Sequence, residues 1–226
     1  MIIGVHFLSD ITEQFYCEKK LELGFEYPSE PNEAMKNGTA GHENATELFT
    51  PVGREQAFKD AVWDRTKIAE FNIAWEHNGV LIRGQPDEVW FSYGKVDLVC
   101  ERKFSNSLII YNDYHVQTQL YCQGLQEMGF DLNNADYSIA VFQRGCGGCP
   151  ELMLGTCGIF RDDRQYFRCE YGACISKRFK FQSDQIIHKL NWALEYWTGK
   201  RKAIPINNRN KCRNCDHSGV CESSLS

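Results

Sequence analysis

The sequence predicts an α/β fold in which helices pack on a small mixed β-sheet. Two observations support this class. Apolar residues recur at helical spacing through most of residues 9–70 and in two later stretches, whereas from Gly79 to Lys103 they follow the alternation of strands. The length of 226 residues, with 42% hydrophobic residues, suits one domain over residues 1–226.

The helices are delimited by capping and breaking residues. Ser9 is the expected N-cap of the first helix, and the stretch Tyr27–Pro31 ends it. Further helices are predicted over residues 33–49, 54–70, 115–128 and 183–197. In the last of these, Ser183 is expected to cap the amino end and Gly199 to terminate the carboxyl end.

Strands are predicted over residues 80–83, 86–91, 96–103, 136–143 and 175–181, with residues 71–79 as an irregular lead-in. A turn at residues 92–95 joins the second and third of them into an antiparallel hairpin. With the turn centred near Gly94, Asp87 lies opposite Glu101. Because side chains alternate along a strand, Glu101 and Lys103 are expected to share one face. The core-facing side is expected to carry Val96, Leu98 and Cys100.

Asp87, Glu101 and Lys103 form a set suited to phosphodiester chemistry. Two facing carboxylates repel each other unless a hard divalent cation lies between them, and Mg²⁺ or Mn²⁺ prefers such oxygen ligands. A lysine on the same side can balance charge that builds on a phosphoryl group. The alternative is an exposed Glu-x-Lys pairing on a strand. On the following helix, Gln117 and Tyr121 lie one turn apart on the same face.

These motifs resemble those of the PD-(D/E)xK nuclease superfamily, and more narrowly its RecB-like exonuclease branch. The matching residues are Gly38-x-x-x-His42, Gly84-Gln85-Pro86-Asp87, Glu101-Arg102-Lys103 and Gln117-Thr118-Gln119-Leu120-Tyr121. The resemblance implies a site for Mg²⁺ or Mn²⁺ that is formed by His42, Asp87 and Glu101. It also implies a catalytic group beside this site, which consists of Lys103, Gln117 and Tyr121. In this arrangement Gln117 and Tyr121 lie near the DNA backbone or near Lys103.

Cysteine is the unusual feature of the composition, with 11 residues in a chain that has no expected secretory signal. Cys212-x-x-Cys215, followed after five residues by Cys221, has a spacing with which thiolates chelate one metal. Cys17, near the other end of the chain, is the best candidate for a fourth ligand. Zinc on these four cysteines is one interpretation, and His217 in place of a cysteine is a variant of it.

The cysteine spacing, together with Leu8-Ser9-Asp10-Ile11 and Phe15–Lys20, resembles the iron–sulfur staple of the CRISPR-associated iron–sulfur exonucleases. The resemblance implies a [4Fe–4S] cluster that joins two staple segments, residues 1–30 and 200–226. It also implies a 5′ to 3′ exonuclease on single-stranded DNA ends that trims spacer precursors in CRISPR adaptation, with the CRISPR integrase complex as a partner. The alternatives are a stand-alone RecB-like nuclease of repair or recombination and a non-catalytic iron–sulfur module that binds DNA ends.

A second cysteine group lies in an insertion over residues 144–175 and consists of Cys146, Cys149, Cys157, Cys169 and Cys174. The first two have a chelate spacing, which favours a small zinc site completed by two of the later three. Thiols without a metal, or a disulfide, are the alternatives. Cys100 and Cys122 fall at apolar positions of a strand and a helix and are expected in the core.

Charge and hydropathy narrow the class of protein further. The net charge is −5, but residues 161–180 and 199–213 are rich in lysine and arginine, which suits either a polyanion partner or an ordinary solvated surface. No apolar run is long enough to cross a membrane and the amino-terminal stretch does not resemble a secretory signal, so a cytoplasmic location is expected. A zinc protein of transcription or RNA processing would explain the cysteines but not the nuclease motifs.

Overall fold

The fold is described by a computed structural model that covers residues 4–28, 52–143, 146, 157 and 165–226. The predicted helix over residues 33–49, with His42, lies outside these ranges. The described ranges contain the helices α1 (Leu8–Glu26), α2 (Arg54–Trp63), α3 (Asn112–Glu127), α4 (Ser183–Trp197) and α5 (Arg209–Arg213). They also contain the strands β1 (Gly4–Phe7), β2 (Arg65–Ala69), β3 (Ile73–His77), β4 (Val80–Gly84), β5 (Glu88–Ser92), β6 (Lys95–Phe104), β7 (Asp136–Phe142), β8 (Tyr166–Arg168) and β9 (Cys174–Lys180).

These strands form two sheets, and α3 contacts both of them. The six-stranded sheet has the order β2-β5-β6-β7-β9-β8, and it is mixed because β6 and β7 run parallel while the other neighbours run antiparallel. The three-stranded sheet has the order β1-β4-β3, with β1 parallel to β4. The predicted mixed α/β class, with helices against sheets, is therefore confirmed.

The β5–β6 hairpin forms as predicted, with Gly94 in its turn at a φ of 79°, a value that glycine accepts without strain. Trp90 pairs with Leu98, whereas the next residue, Phe91, pairs with Val96. β6 therefore carries one additional residue at this point, which is a β-bulge. The prediction that Val96 and Leu98 share a face is wrong, because the bulge turns Val96 to the opposite side, where it is completely buried.

The predicted helix over residues 54–70 is wrong in its second half. α2 ends at Trp63, and Asp64 has extended backbone angles, after which the chain forms β2. The expectation of an irregular stretch over residues 71–79 is also wrong, because β3 lies within it and alternates in burial. Both strands obtain their hydrogen-bond partners from later parts of the chain, and a local pattern does not reveal such partners.

Neither predicted serine cap forms. α1 begins at Leu8, so Ser9 lies inside its first turn, and Phe7 precedes the helix with extended backbone angles. Ser183 is likewise the first residue of α4, and its hydroxyl donates a hydrogen bond to Gln123 Oε1 at 2.8 Å. Gly199 follows α4 with a φ of 70°, as predicted for the residue that ends this helix.

A buried ion pair joins α1 to the segment that follows α4. Glu18 is 1% exposed, and its carboxylate accepts hydrogen bonds from both terminal nitrogens of Arg201, at 2.5 and 2.6 Å. The Ile204 amide donates to the same carboxylate at 2.8 Å, and Trp197 Nε1 donates to Gln14 Oε1 at 2.7 Å. Side-chain contacts therefore hold the two ends of the chain together close to the predicted staple, and these contacts need no metal.

Candidate functional site

The predicted acidic pair meets where the chain enters β5. The β5–β6 register, continued by one residue beyond the pairing of Glu88 with Cys100, places Asp87 beside Glu101. Asp87 Oδ2 accepts a hydrogen bond from the Arg102 amide at 2.5 Å, which holds its carboxylate against β6. Glu101 is 2% exposed, in the interior of the larger sheet. The two carboxylates therefore lie on neighbouring strands at the centre of the fold.

A chain of hydrogen bonds leads from Glu101 to α3. Lys103 Nζ lies 2.6 Å from Glu101 Oε1 and donates to Gln117 Oε1 at 2.8 Å. Gln117 Nε2 in turn donates to the Tyr121 hydroxyl at 2.9 Å. Because Gln117 and Tyr121 are one turn apart, α3 presents both side chains on the face that meets β6. The structure thus brings Glu101, Lys103, Gln117 and Tyr121 together.

The surrounding charges keep Lys103 protonated. Burial disfavours the cation, but the charge of Glu101, with a smaller contribution from Asp87, outweighs burial and raises the pKa of Lys103. Burial, reinforced by the charge of Glu101, raises the pKa of Tyr121 well above its ordinary value, so its hydroxyl stays neutral. The site therefore holds a charged lysine and a neutral tyrosine at neutral pH.

Gly84 provides the space that Tyr121 occupies. A Cβ at residue 84 would lie 2.8 Å from Tyr121 Cε1 and 3.3 Å from Leu8 Cβ, which is too close for carbon atoms in contact. The glycine of the Gly84-Gln85-Pro86-Asp87 motif is thus required by packing against α3. This motif and the Gln117–Tyr121 motif are distant in the sequence but contact each other directly in the fold.

One further tyrosine lies beside Lys103 and a second packs on the first, and no motif predicted them. The ring centroid of Tyr114 is 5.2 Å from Lys103 Nζ, within the range of a cation–π contact. Tyr111 meets Tyr114 edge to face at 5.5 Å and is 41% exposed. Their signal in the sequence is the spacing of three residues from Tyr111 to Tyr114 and again to Gln117, which is the spacing of neighbours on a helix surface.

The oxygen donors at this point fit a hard divalent cation. Asp87 and Glu101 supply carboxylates, the ligand type that Mg²⁺ and Mn²⁺ prefer. The third predicted ligand, His42, lies outside the described residues. Within the described ranges, no group of three or more histidine, cysteine, aspartate or glutamate side chains is arranged as a ready metal site. The described part of the chain therefore provides two of the three predicted ligands.

The four cysteines predicted to hold a cluster line one cleft. Cys17 interrupts α1 with non-helical backbone angles, a φ of −171° and a ψ of 114°. Cys212 lies in α5, which Asn208 caps by accepting a hydrogen bond from the Lys211 amide at 3.1 Å. Of the four cysteines, the remaining two come after α5 and are Cys215 and Cys221.

Cationic side chains surround this cysteine cleft. Lys20 and Lys211 both line it, and their ammonium groups lie 5.4 and 4.1 Å from the ring centroid of Tyr16. His217, the alternative ligand, is 7% exposed, packs near Gly24 of α1 and is not among the residues that line the cleft. The geometry favours the four cysteines over the variant with His217.

Three cysteines of the second group lie together in a small core. Cys146, Cys157 and Cys174 are 3%, 5% and 0% exposed, and the Cys174 thiol is hydrogen-bonded with both of the others. Cys169 packs against this cluster. Cys149, the expected partner of Cys146, lies outside the described residues.

The two remaining cysteines differ in their surroundings. Cys122 is completely buried in α3, as predicted. Cys100 is partly exposed, which corrects its prediction as a core residue, because it lies on the face of β6 that points away from α3. Burial raises the pKa of both thiols, which argues against either as a reactive or metal-binding thiolate.

Comparison with known proteins supports a DNA nuclease. Residues 163–223 match the Exo5 family model, described as exonuclease V, a 5′ deoxyribonuclease. This range includes three of the four cysteines that line the cleft, Cys212, Cys215 and Cys221. No curated protein matches the chain.

The solved structures that match this chain include two that align over most of its length. The crystal structure of SSO0001 has a TM-score of 0.52 and 14% sequence identity, and the alignment covers 98% of this chain and 87% of that one. At this identity the similarity concerns the fold alone. An alkaline exonuclease, LHK-Exo from Laribacter hongkongensis, has a TM-score of 0.44 and 13% identity, and the alignment covers 88% of this chain and 90% of that one.

Among the described residues, no helix is both long and apolar enough to span a membrane.

Proposed function

We propose that this protein is a Mg²⁺- or Mn²⁺-dependent DNA exonuclease that degrades single-stranded DNA from 5′ ends. The observation that carries the proposal is the hydrogen-bonded chain from Glu101 through Lys103 and Gln117 to Tyr121, beside Asp87. An ordinary surface Glu-x-Lys pair leaves its carboxylate in water, whereas Glu101 is 2% exposed. The match to exonuclease V over residues 163–223 supports DNA as the substrate and a 5′ end as the starting point.

Asp87 and Glu101 hold the divalent cation in this proposal, with His42 as the third ligand. A bound cation supplies Lewis-acid polarisation of the phosphodiester and offsets its negative charge. Glu101 has a second role, because its Oε1 holds Lys103 Nζ at 2.6 Å. One carboxylate therefore links the cation site to the lysine.

Lys103 stabilises the charge that develops on the phosphoryl oxygens as the phosphodiester bond breaks. Its raised pKa keeps the ammonium group charged, and two contacts hold it in place before substrate binds. Gln117 orients this amine through its carbonyl oxygen, and the Tyr121 hydroxyl accepts from the other end of the same amide. Gln117 and Tyr121 are thus positioning residues for Lys103.

Cleavage assays with end-labelled DNA test this assignment. The wild-type protein is expected to shorten labelled single strands from the 5′ end with Mg²⁺ or Mn²⁺, to stop in EDTA and to leave circular single strands intact. Asp87→Asn and Lys103→Ala should each lower kcat by about 100-fold or more. Asp97→Asn and Lys95→Ala, which alter a partly exposed ion pair on the same strand, should leave kcat unchanged.

The outcome of these assays separates the catalytic proposal from its rivals. Equal rates for the site variants and the control variants would refute the assignment of Asp87 and Lys103. Tight binding of DNA ends by a wild-type protein that does not cleave would favour a non-catalytic end-binding module. Cleavage of circular strands would identify an endonuclease activity and contradict the requirement for an end.

A [4Fe–4S] cluster on Cys17, Cys212, Cys215 and Cys221 is part of the same proposal. Its support is that all four cysteines line one cleft, between chain segments far apart in sequence and next to two lysines. Such a cluster joins the staple segments, residues 1–30 and 200–226, and adds to the buried ion pair there. Because ligation requires reduced thiols, the proposed location is the cytoplasm.

Iron and sulfide analysis of anaerobically purified protein tests the cluster. The wild-type protein should be brown and contain iron and acid-labile sulfide in equal amounts. Cys212→Ser should lose both, whereas Cys100→Ser, a change at a partly exposed cysteine outside the cleft, should retain them. Zinc in the wild-type cleft in place of iron would contradict the cluster and establish the zinc alternative.

The cellular pathway has two candidates. The resemblance to CRISPR-associated nucleases supports the trimming of spacer precursors, with the CRISPR integrase complex as partner. The second candidate is a stand-alone nuclease of repair or recombination, and the family model that matches residues 163–223 describes a 5′ deoxyribonuclease without naming a CRISPR role. Co-purification with integrase subunits, and preferential trimming of spacer precursors over plain single strands, would support the first role. Absence of both would support the second.

A further inference from the structure

Four cysteines of the second group lie in or against a small core that is separate from the main one. Phe104 and Phe142 stack there at 5.1 Å with an interplanar angle of 19°, next to Cys146, Cys157 and Cys174. Phe104 and Phe142 end the neighbouring parallel strands β6 and β7. Phe104 also directly follows Lys103 in the chain, so this core lies at the end of the strand that carries the candidate active-site lysine.

Cys169 and Cys174 are placed as a pair by the β8–β9 hairpin. Arg168 pairs with Ile175, and the Cys169 amide donates to the Cys174 carbonyl oxygen at 2.9 Å. Gly172 forms the turn with a φ of 68°. Directly opposed residues of an antiparallel pair have Cβ atoms about 4.5–5.5 Å apart on the same face. Both sulfurs are therefore within reach of a common ligand.

The other two cysteines approach this hairpin from the preceding part of the chain. The Gln143 amide donates to the Ala173 carbonyl oxygen at 2.8 Å, which ties the end of β7 to the turn. The Cys146 amide then donates to the Gln143 carbonyl oxygen at 3.1 Å. The thiols of Cys146 and Cys157 each interact with the thiol of Cys174, and the three side chains pack in the same small core.

We propose that Cys146, Cys157, Cys169 and Cys174 bind one Zn²⁺ in a structural tetrathiolate site that is distinct from the cysteine cleft. Tetrahedral zinc with Zn–S bonds of about 2.3 Å holds its sulfurs about 3.8 Å apart, which is close to the separation of hydrogen-bonded thiols. This ligand set differs from the one expected from the sequence, because all three later cysteines take part and Cys149 does not.

Binding requires a modest local change. In the described part of the chain these cysteines pack together but are not yet arranged as a ready coordination sphere. Rotation of the cysteine side chains about χ1 directs the sulfurs at one point, and the four thiol protons pass to solvent as the Zn–S bonds form. The site thus carries two net negative charges, and its affinity increases with pH.

The physical benefit of the metal follows from the size of this core. Apart from the cysteines it consists of Ala140 and Phe142, with partly buried Phe104, Phe167 and Ala173 packed against it. So few apolar side chains stabilise this core only weakly, whereas a structural zinc site contributes folding free energy directly. Four soft thiolates select zinc over the Mg²⁺ or Mn²⁺ proposed for the carboxylates.

Metal analysis of the full-length protein tests the site. Wild-type protein should contain one zinc per chain in addition to its iron. Cys174→Ser should lose this zinc but keep the iron, whereas Cys100→Ser should keep both. Zinc that persists in Cys174→Ser would overturn the proposal, and so would wild-type protein without zinc. The readout is independent of the proposed nuclease, because zinc content is measured without DNA.

A spectroscopic measurement covers the case in which Cys174→Ser fails to fold. After exchange of zinc for Co²⁺ in the wild-type protein, four-thiolate coordination produces intense sulfur-to-cobalt charge-transfer bands together with tetrahedral d–d bands. A spectrum without thiolate bands would overturn the proposal. A disulfide between any two of these cysteines, detected by mass spectrometry of unreduced protein, would also overturn it.

Discussion

Gly84→Ala tests whether the position of Tyr121 controls the candidate active site. The new Cβ would lie 2.8 Å from Tyr121 Cε1, whereas carbon atoms in contact are about 3.5–4.0 Å apart. The ring must therefore move by roughly 0.7 Å or more. It cannot move alone, because the Tyr121 hydroxyl is bonded to Gln117, and Gln117 holds Lys103.

Two opposing effects determine the change in the free energy of unfolding. Overpacking of a core costs about 1–3 kcal/mol. Replacing glycine by alanine stabilises by about 0.4–1 kcal/mol, because the unfolded chain becomes less flexible. The net loss is about 1–2 kcal/mol, which lowers Tm by about 2–8 °C for a chain of this length. Because misplacement of a reacting group by about 1 Å costs about 100-fold, kcat should fall by about 10- to 100-fold.

Thermal unfolding and cleavage of single-stranded DNA provide the two measurements. Gly219→Ala is the matched control, because a Cβ there meets no atom within 4 Å, and both measurements should equal those of the wild type. In a Tyr121→Leu background the smaller side chain leaves room for the methyl group, so the stability cost of Gly84→Ala should nearly disappear. An unchanged kcat in the single variant, or an undiminished cost in the double variant, would refute the reasoning.

Three other perturbations have defined outcomes. Glu18→Gln weakens a buried ion pair and should lower the free energy of unfolding in urea by about 3–5 kcal/mol, whereas Glu55→Gln, in an exposed pair, should cost less than about 1 kcal/mol. Burial lowers the pKa of His115, so the unfolded chain binds its proton more readily, and stability should fall as pH drops through about 6.5. An equally steep decline in His115→Gln would contradict this assignment. Tyr111→Ala removes an exposed ring that packs on Tyr114, the neighbour of Lys103, and should raise KM for single-stranded DNA about 5-fold or more, while Tyr93→Ala, in a hairpin turn, should not.

The β5–β6 hairpin shows what the local sequence pattern can predict and what it cannot. Alternation and a turn near Gly94 predicted that Asp87 and Glu101 are neighbours, and the observed register agrees. The same reasoning misplaced Val96, because a bulge inserts one residue and reverses the alternation. A bulge depends on how two strands twist and pack, and this information is not contained in the alternation of either strand.

The strand β2 shows where the local sequence pattern predicts the wrong structure. Residues 65–69 follow a helix without a glycine or proline between them, so helical periodicity appears to continue. Their conformation is decided by pairing with β5, whose hydrogen-bonding edge would otherwise be unpaired. Tertiary pairing therefore outweighs a weak local preference.

The two groups of cysteines show the same difference between what the sequence predicts and what depends on the fold. Spacing alone grouped Cys212 with Cys215 and suggested Cys17 as a distant partner, and the structure places all of them at one cleft. Spacing also paired Cys146 with Cys149, whereas packing joins Cys146 to Cys157 and Cys174. The grouping of Cys212 with Cys215 follows from short-range geometry. The grouping of Cys146 with Cys157 and Cys174 depends on tertiary packing.

The sequence by itself determined which side chains share a face of one strand or one helix. Residues two apart on a strand, or four apart on a helix, share a face whatever surrounds them, and so Glu101 with Lys103 and Gln117 with Tyr121 were identifiable as pairs. Only the tertiary structure decided that the two pairs meet, through the 2.8 Å hydrogen bond from Lys103 to Gln117. The physical reason is that periodicity encodes direction relative to one element, whereas contact between elements depends on the packing of the whole chain.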